Sequence, residues 1–120
     1  MNILVVDDFA FARRIIKNVL KEIGMNNVTE VSSGTAALIA LNKNEFGLIV
    51  TDFNMPGMNG IELVRKIRAI DATTATPIIM VTSDGNKSVL LEATEAGVNA
   101  FLNKPFTKEE FVEKIDRLFA

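Results

Sequence analysis

Residues 48–60 read Leu48-Ile49-Val50-Thr51-Asp52-Phe53-Asn54-Met55-Pro56-Gly57-Met58-Asn59-Gly60. An uninterrupted apolar run, rich in β-branched residues, stops on an aspartate and passes straight into a turn built from Asn, Pro and Gly. A strand with no polar alternation is buried on both faces, as in a parallel sheet covered by helices on each side. The pattern recurs at Ile3-Leu4-Val5-Val6 followed by Asp7-Asp8, at Pro77-Ile78-Ile79-Met80-Val81 followed by Thr82-Ser83, and at Ala100-Phe101-Leu102 followed by Asn103-Lys104. A weaker strand spans Asn27 to Val31.

Helix-period segments fill the gaps between these runs. Ala12, Ile15, Ile16, Val19, Leu20 and Ile23 recur at helical spacing, with Arg13, Arg14, Lys17 and Lys21 on the other side and Gly24 as a stop. Ser33-Gly34 reads as a breaker before a short helix from Thr35 to Leu41. Ile61, Val64 and Ile67 mark a helix after the long turn. The loop Ser83-Asp84-Gly85-Asn86 leads into a fourth helix that ends near Gly97. Thr107-Lys108-Glu109-Glu110 is a capping box, with Phe111, Val112, Ile115, Leu118 and Phe119 as the apolar positions behind it. Strands alternating with helices predict an α/β fold with a parallel sheet.

The 120 residues suffice for one core, and a single domain over 1–120 with no output domain is expected. With 48% apolar and 23% charged residues the composition is globular and excludes disorder and coiled coil. Fifteen acids against thirteen bases leave no basic field for nucleic acid or anionic lipid. The absence of Cys and His excludes disulfides, thiol catalysis, imidazole bases and His-ligated zinc. Met1 to Asp8 has no basic n-region and its short apolar stretch ends in two acids, so it is not expected to be a signal peptide, and the longest apolar run elsewhere, Ala36 to Leu41, falls far below the ~20 residues of a membrane span. The chain is expected to be cytoplasmic and monomeric.

Right-handed crossovers put every strand-to-helix loop at the C-terminal edge of the sheet, where open α/β sheets bind ligands. Asp7, Asp8, Asp52, Thr82, Asn103 and Lys104 leave the strands at that edge. Carboxylates gathered there repel one another unless a cation sits among them. With oxygen donors alone, a hard divalent ion such as Mg2+ is implied. A carboxylate can also act as a nucleophile toward a phosphoryl group, with a metal, a lysine and a hydroxyl screening the charge. Lys104 and Thr82 suit the last two roles. Which aspartate is the nucleophile does not follow from these considerations. Plainer roles are also open to each residue alone: Asp8 as a helix cap, Asp52 as a turn acid and Lys104 as a solvated side chain.

The acidic pair Asp7-Asp8, Asp52 within Thr51-Asp52-Phe53-Asn54-Met55-Pro56-Gly57, Thr82 after Ile79-Met80-Val81, and Asn103-Lys104-Pro105-Phe106 occur in an order that resembles the receiver domain of two-component response regulators, especially its CheY-like chemotaxis branch. The resemblance covers essentially the whole chain. It implies a flavodoxin-like (βα)5 three-layer sandwich with a five-stranded parallel sheet of order 2-1-3-4-5, for which the chemotaxis regulator is itself a standard example. It also implies that Asp52 is the phosphoacceptor. Asp8, Asp52 and the backbone carbonyl of Asn54 would bind Mg2+ with help from Asp7, and Lys104 would pair with the phosphoryl group. Thr82 would be the switch hydroxyl, and the peptide bond before Pro105 would be cis. Phe101 corresponds to the switch aromatic, often a tyrosine, although packing under the fifth helix would account for it equally. Phe53 stands where a tryptophan is common, and Asn54 and Asp84 occupy positions that tune dephosphorylation. Lys87 and Lys114 match basic positions on the partner face. Implied partners are a CheA-like histidine kinase, a FliM-like flagellar motor switch protein and a phosphatase.

Two other readings use the same residues. One is a receiver that shuttles phosphate to a histidine phosphotransferase. The other is a small aspartyl-phosphate phosphatase of the haloacid dehalogenase type, against which stand the missing Asp-x-Asp after the first strand and the lack of a cap. A nucleotide-binding protein is disfavoured because neither glycine-rich phosphate motif occurs.

Overall fold

A computed structural model of the chain describes residues 1–83 and 85–120; Asp84 and the dephosphorylation role expected for it lie outside the described residues. The elements run β1 (Ile3–Val6), α1 (Ala10–Glu22), β2 (Val28–Val31), α2 (Gly34–Lys43), β3 (Leu48–Asp52), α3 (Gly60–Arg68), a short 3-10 turn (Asp71–Thr73), β4 (Ile78–Thr82), α4 (Lys87–Ala96), β5 (Ala100–Asn103) and α5 (Lys108–Leu118). The five strands are parallel in the order β2-β1-β3-β4-β5. This is the order expected from the resemblance.

The period of two along each strand divides the core into two layers. Leu4, Val6, Ile49, Ile78 and Met80 face one way and pack with Ile61, Val64, Ile67 and Ala93 on the α2–α3–α4 side. Ile3, Val5, Leu48, Val50, Ile79, Val81 and Leu102 face the other way, against Ile16, Leu20, Phe111 and Ile115 of α1 and α5. Helices cover both faces, which is why the central strands carry no polar residue before their ends.

Several helix ends depart from the reading of the sequence. Ser33 is the N-cap of α2 and accepts from the Ala36 N–H at 3.1 Å, so Ser33-Gly34 starts a helix instead of breaking one. Asp8 does not cap α1; Phe9 occupies the N-cap position without a side-chain hydrogen bond. Phe119 is exposed because α5 ends at Leu118, leaving it past the last packed turn. Phe101 packs against the α2–α3–α4 layer and Leu102 into the α1–α5 layer, as alternation along β5 requires, although Phe101 also borders residues of α5 at the sheet edge. The Thr107–Glu110 capping box forms, with both bonds at 3.1 Å, and Asn59 with Glu62 makes a second one.

Arg68, at the end of α3, ties the opposite edge of the sheet together. Its guanidinium donates to the carbonyls of Gly97, Thr73 and Thr74 and to Asn99 Oδ1, at 2.8–3.2 Å. Asn99 Oδ1 in turn accepts from the Ile78 N–H at 2.8 Å, fixing the entry to β4.

At the functional edge α3 starts with no room to spare. Gly60 donates its N–H to the Phe53 carbonyl at 2.8 Å, and a Cβ at residue 60 would collide with the Asp52 carbonyl oxygen and press on Met80 Cε and Phe53 Cα, both at 3.0 Å. Backbone cannot yield as a flexible side chain can. Gly60→Ala is therefore expected to lower unfolding stability by about 2–3 kcal/mol, despite the better helix propensity of alanine. Urea denaturation measures this.

Candidate functional site

Strand register assembles the site. Val6 lies opposite Thr51, so the next residues, Asp7 and Asp52, leave adjacent strands together; Thr82 lies opposite Asn103, so Lys104 follows beside it. The Lys104 N–H donates to the Thr82 carbonyl at 2.9 Å, and the Lys104–Pro105 peptide is cis, as the resemblance implied.

Carboxylate oxygens of Asp7, Asp8 and Asp52 lie within 4.8 Å of one another. Asp7 is fully buried and Asp52 is 6% exposed. Lys104 Nζ reaches both, 3.1 Å from Asp7 Oδ2 and 3.1 Å from Asp52 Oδ1. The other oxygen of Asp7 accepts from the Phe9 N–H at 3.0 Å, and Arg13 donates to the Asp7 carbonyl at 2.8 Å. Asp7 is thus held by backbone, lysine and the helix that follows it. Lys104 is not the solvated side chain that its type would suggest.

Asp8 differs from its neighbour. Its Oδ1 is buried and has no hydrogen-bond partner. An unpaired buried carboxylate oxygen is costly, and such an atom calls for an explanation such as an ion. One ammonium among three carboxylates leaves the cluster two charges negative. A hard divalent cation satisfies both the charge and the orphan oxygen, and Mg2+ is bound through few carboxylates plus waters and phosphate. The donor set fits that ion.

Burial and the nearby charge of Asp7 raise the pKa of Asp52 above the ordinary carboxylate value, against the lowering effect of the Lys104 hydrogen bond and charge. For Lys104, burial acts to lower the pKa, but its hydrogen bonds to Asp52 and Asp7 and their charges raise it overall. Lys104 therefore holds its proton throughout the neutral range.

The remaining expected residues fall in two groups. Thr82 ends β4 and is buried, while Asn54 is exposed in the loop after β3, next to Asp52. Away from the carboxylates, Phe101 and Lys114 line one cleft of about 370 Å3 with Asn99, Ala100, Arg117 and Leu118. Lys87 does not line that cleft; it is the exposed first residue of α4. Two features escaped the sequence reading: the orphan oxygen of Asp8, which depends on three-dimensional surroundings, and the Asn59–Glu62 capping box, whose Asn-x-x-Glu spacing was available.

Residues 3–116 match the family model described as the response regulator receiver domain. The chain belongs to the response regulator receiver family. It is 45% identical over 119 residues to chemotaxis protein CheY-3 of Vibrio cholerae, covering 99% of this chain and 92% of that protein. It is 46% identical to chemotaxis protein CheY of Pseudomonas aeruginosa, covering 99% and 96%. Among solved structures, Vibrio cholerae CheY4 superposes with a TM-score of 0.91 at 31% identity, over 97% of this chain and 96% of that one. The receiver domain of a sensor histidine kinase from Pseudomonas aeruginosa, described with a magnesium ion coordinated in its active site cleft, superposes with a TM-score of 0.87 at 28% identity, over 97% and 94%. The chain is a CheY-like receiver domain, and receivers typically bind Mg2+ at an acidic pocket such as the Asp7–Asp8–Asp52 cluster.

The electrostatics yield two predictions. Lys104→Met strands two buried carboxylates and is expected to cost about 2–4 kcal/mol, somewhat below the usual range for broken buried pairs because 27% of the lysine side chain is in solvent. Added Mg2+ should restore part of that loss, measured by thermal unfolding with and without the ion. Asp52 has a raised folded pKa, so the stability it contributes is present below its unfolded pKa and is lost as pH rises through the folded value. Without Mg2+, Asp52→Asn should therefore raise the thermal midpoint at pH 7, and the gain should shrink as pH falls through the raised folded value toward the ordinary carboxylate value.

Proposed function

We propose that the chain is a signalling phosphoacceptor in which Asp52 takes a phosphoryl group from the phosphohistidine of a histidine kinase. The observation that carries this reading is Lys104 Nζ, 3.1 Å from Asp52 and 3.1 Å from Asp7, beside the unpartnered oxygen of Asp8. A carboxylate oxygen of Asp52 attacks phosphorus, the P–N bond of the donor breaks, and the bonding pair leaves with the imidazole, giving an acyl phosphate. Lys104 and the Thr82 hydroxyl meet the oxygens of the transferred group, since phosphoryl transfer is catalysed chiefly by positioning and charge. Asp8, Asp52 and the Asn54 carbonyl would hold Mg2+, with Asp7 assisting; the ion supplies charge neutralisation at the phosphoryl oxygens. The protein assists its own phosphorylation and dephosphorylation and turns over no separate substrate.

Output is by binding. Phosphorylation adds about 1.5 to 2 negative charges at one point, which the Thr82 hydroxyl and Phe101 would convert into a change on the face that carries Lys87 and Lys114. A full switch needs about 5.5 kcal/mol of differential stabilisation, and the partner is expected to supply part of it. Relatives named chemotaxis proteins support a CheA-like kinase upstream and a FliM-like motor switch protein downstream. A phosphatase would complete the cycle, and the reading places the protein in the cytoplasm. No helix among the described residues is long and apolar enough to cross a membrane.

Incubation with acetyl phosphate and Mg2+ tests the chemistry by intact mass. One added phosphoryl group is expected, absent in Asp52→Ala and absent without Mg2+. An adduct that survives Asp52→Ala would overturn the assignment, and steady turnover of p-nitrophenyl phosphate would favour a phosphatase.

A further inference from the structure

The loop between β3 and α3 spans residues 53–59, longer than most connections of its kind. Its two ends are fastened by backbone: the Phe53 N–H donates to the Val81 carbonyl at 3.0 Å, and the Gly60 N–H donates to the Phe53 carbonyl at 2.8 Å. Asn54, Pro56 and Gly57 are exposed, so nothing buries the middle of the loop except Met55 and Met58, which pack into the α2–α3–α4 layer.

Met58 meets an unusual partner. Gly34, the first residue of α2, is buried, and its backbone lies outside the left-handed region, so conformational freedom does not explain a glycine there. Helix propensity favours alanine at that position. A Cβ on residue 34 would lie 2.6 Å from Met58 Sδ, 3.1 Å from Cγ and 3.2 Å from Cβ. Contact therefore runs along the whole side chain down to Cβ. The thioether could swing aside, but Cγ and Cβ would each still have to give by a few tenths of an ångström, which presses Met58 and the loop that carries it away from α2.

We propose that Met58, seated on the bare Cα of Gly34, is a positioning residue that holds the β3–α3 loop so that the Asn54 carbonyl faces the carboxylate cluster. The inference rests on the receiver reading, in which that carbonyl is a ligand to Mg2+. Groups that orient metal ligands without touching the ion commonly change affinity by about 10–100-fold when removed. Between Asn54 and Met58 lie the buried Met55 and the exposed Pro56 and Gly57, so Met55 and Met58 are the apolar anchors of the loop; a looser Met58 leaves the Asn54 carbonyl held from one side only, while Asp52 stays at the end of β3.

The test is a Mg2+ titration of the full chain followed by amide chemical shifts, with the thermal midpoint in the absence of Mg2+ recorded for each variant. Met58→Ala is expected to weaken Mg2+ binding by about tenfold. Gly34→Ala should do the same by pushing the loop outward, and Met58→Leu should restore affinity to within about twofold because it refills the contact. In the double variant the short side chain at 58 leaves room for the new methyl, so its affinity should be no weaker than that of Met58→Ala alone, a non-additivity typical of contacting residues. Phosphorylation by acetyl phosphate should need more Mg2+ in Met58→Ala and Gly34→Ala yet reach a rate near wild type once the ion is saturating. Unchanged Mg2+ affinity in Met58→Ala and Gly34→Ala, with or without a lower thermal midpoint, overturns the proposal. A wild-type chain that neither binds Mg2+ nor takes a phosphoryl group overturns the receiver reading instead.

Discussion

Lys104 reaches across the C-terminal edge of the sheet to the carboxylates of Asp7 and Asp52, 97 residues away from the first of them in the chain. Without that ammonium, two buried carboxylates would confront each other in a site largely shielded from water. With it, the edge tolerates the acids but is not neutralised. The excess negative charge and the unpaired Asp8 oxygen are what fit the site to a cation and, in the proposed function, to the phosphoryl group that such a cation would screen. A fully compensated cluster would be more comfortable and chemically idle.

The architecture serves this one edge. Parallel strands shielded on both faces can deliver side chains only at their ends, so polar groups collect where each strand passes into its loop. Register then sets which groups meet: Val6 against Thr51 aligns the first two acids, and Thr82 against Asn103 aligns hydroxyl and lysine. On the opposite edge Arg68 gathers three loose carbonyls from two segments, the turn at Thr73–Thr74 and the end of α4 at Gly97. The glycines at 34 and 60 mark the two places where backbone must come close to hold the loop beside Asp52.

Helix ends were the least legible part of the chain. The capping box at Thr107 was plain because side chain and backbone satisfy each other within four residues. Ser33-Gly34 misled because the same pair can stop one segment or start the next, and only the Ala36 N–H bond distinguishes them. For Asp8 a helix cap stood as an open alternative to the carboxylate cluster because aspartate suits both; in the fold its side chain belongs to the acidic cluster and Phe9 takes the cap position. Alternation along β5 puts Phe101 and Leu102 on opposite sides of the sheet, but which side each takes depends on how the strand is set against its neighbour.

From the sequence alone came the parallel α/β class, the strand ends that bear chemistry and the identity of the acidic, hydroxyl and lysine groups, because apolar runs and their abrupt polar stops are local properties of the chain. Strand order, and the choice of Asp52 as the expected phosphoacceptor, came through likeness to a family, not from periodicity. Only the tertiary structure decided that Lys104 bridges two acids, that one oxygen of Asp8 has no partner and that Met58 rests on Gly34. Those facts are distances between residues remote in sequence, and no local pattern encodes them.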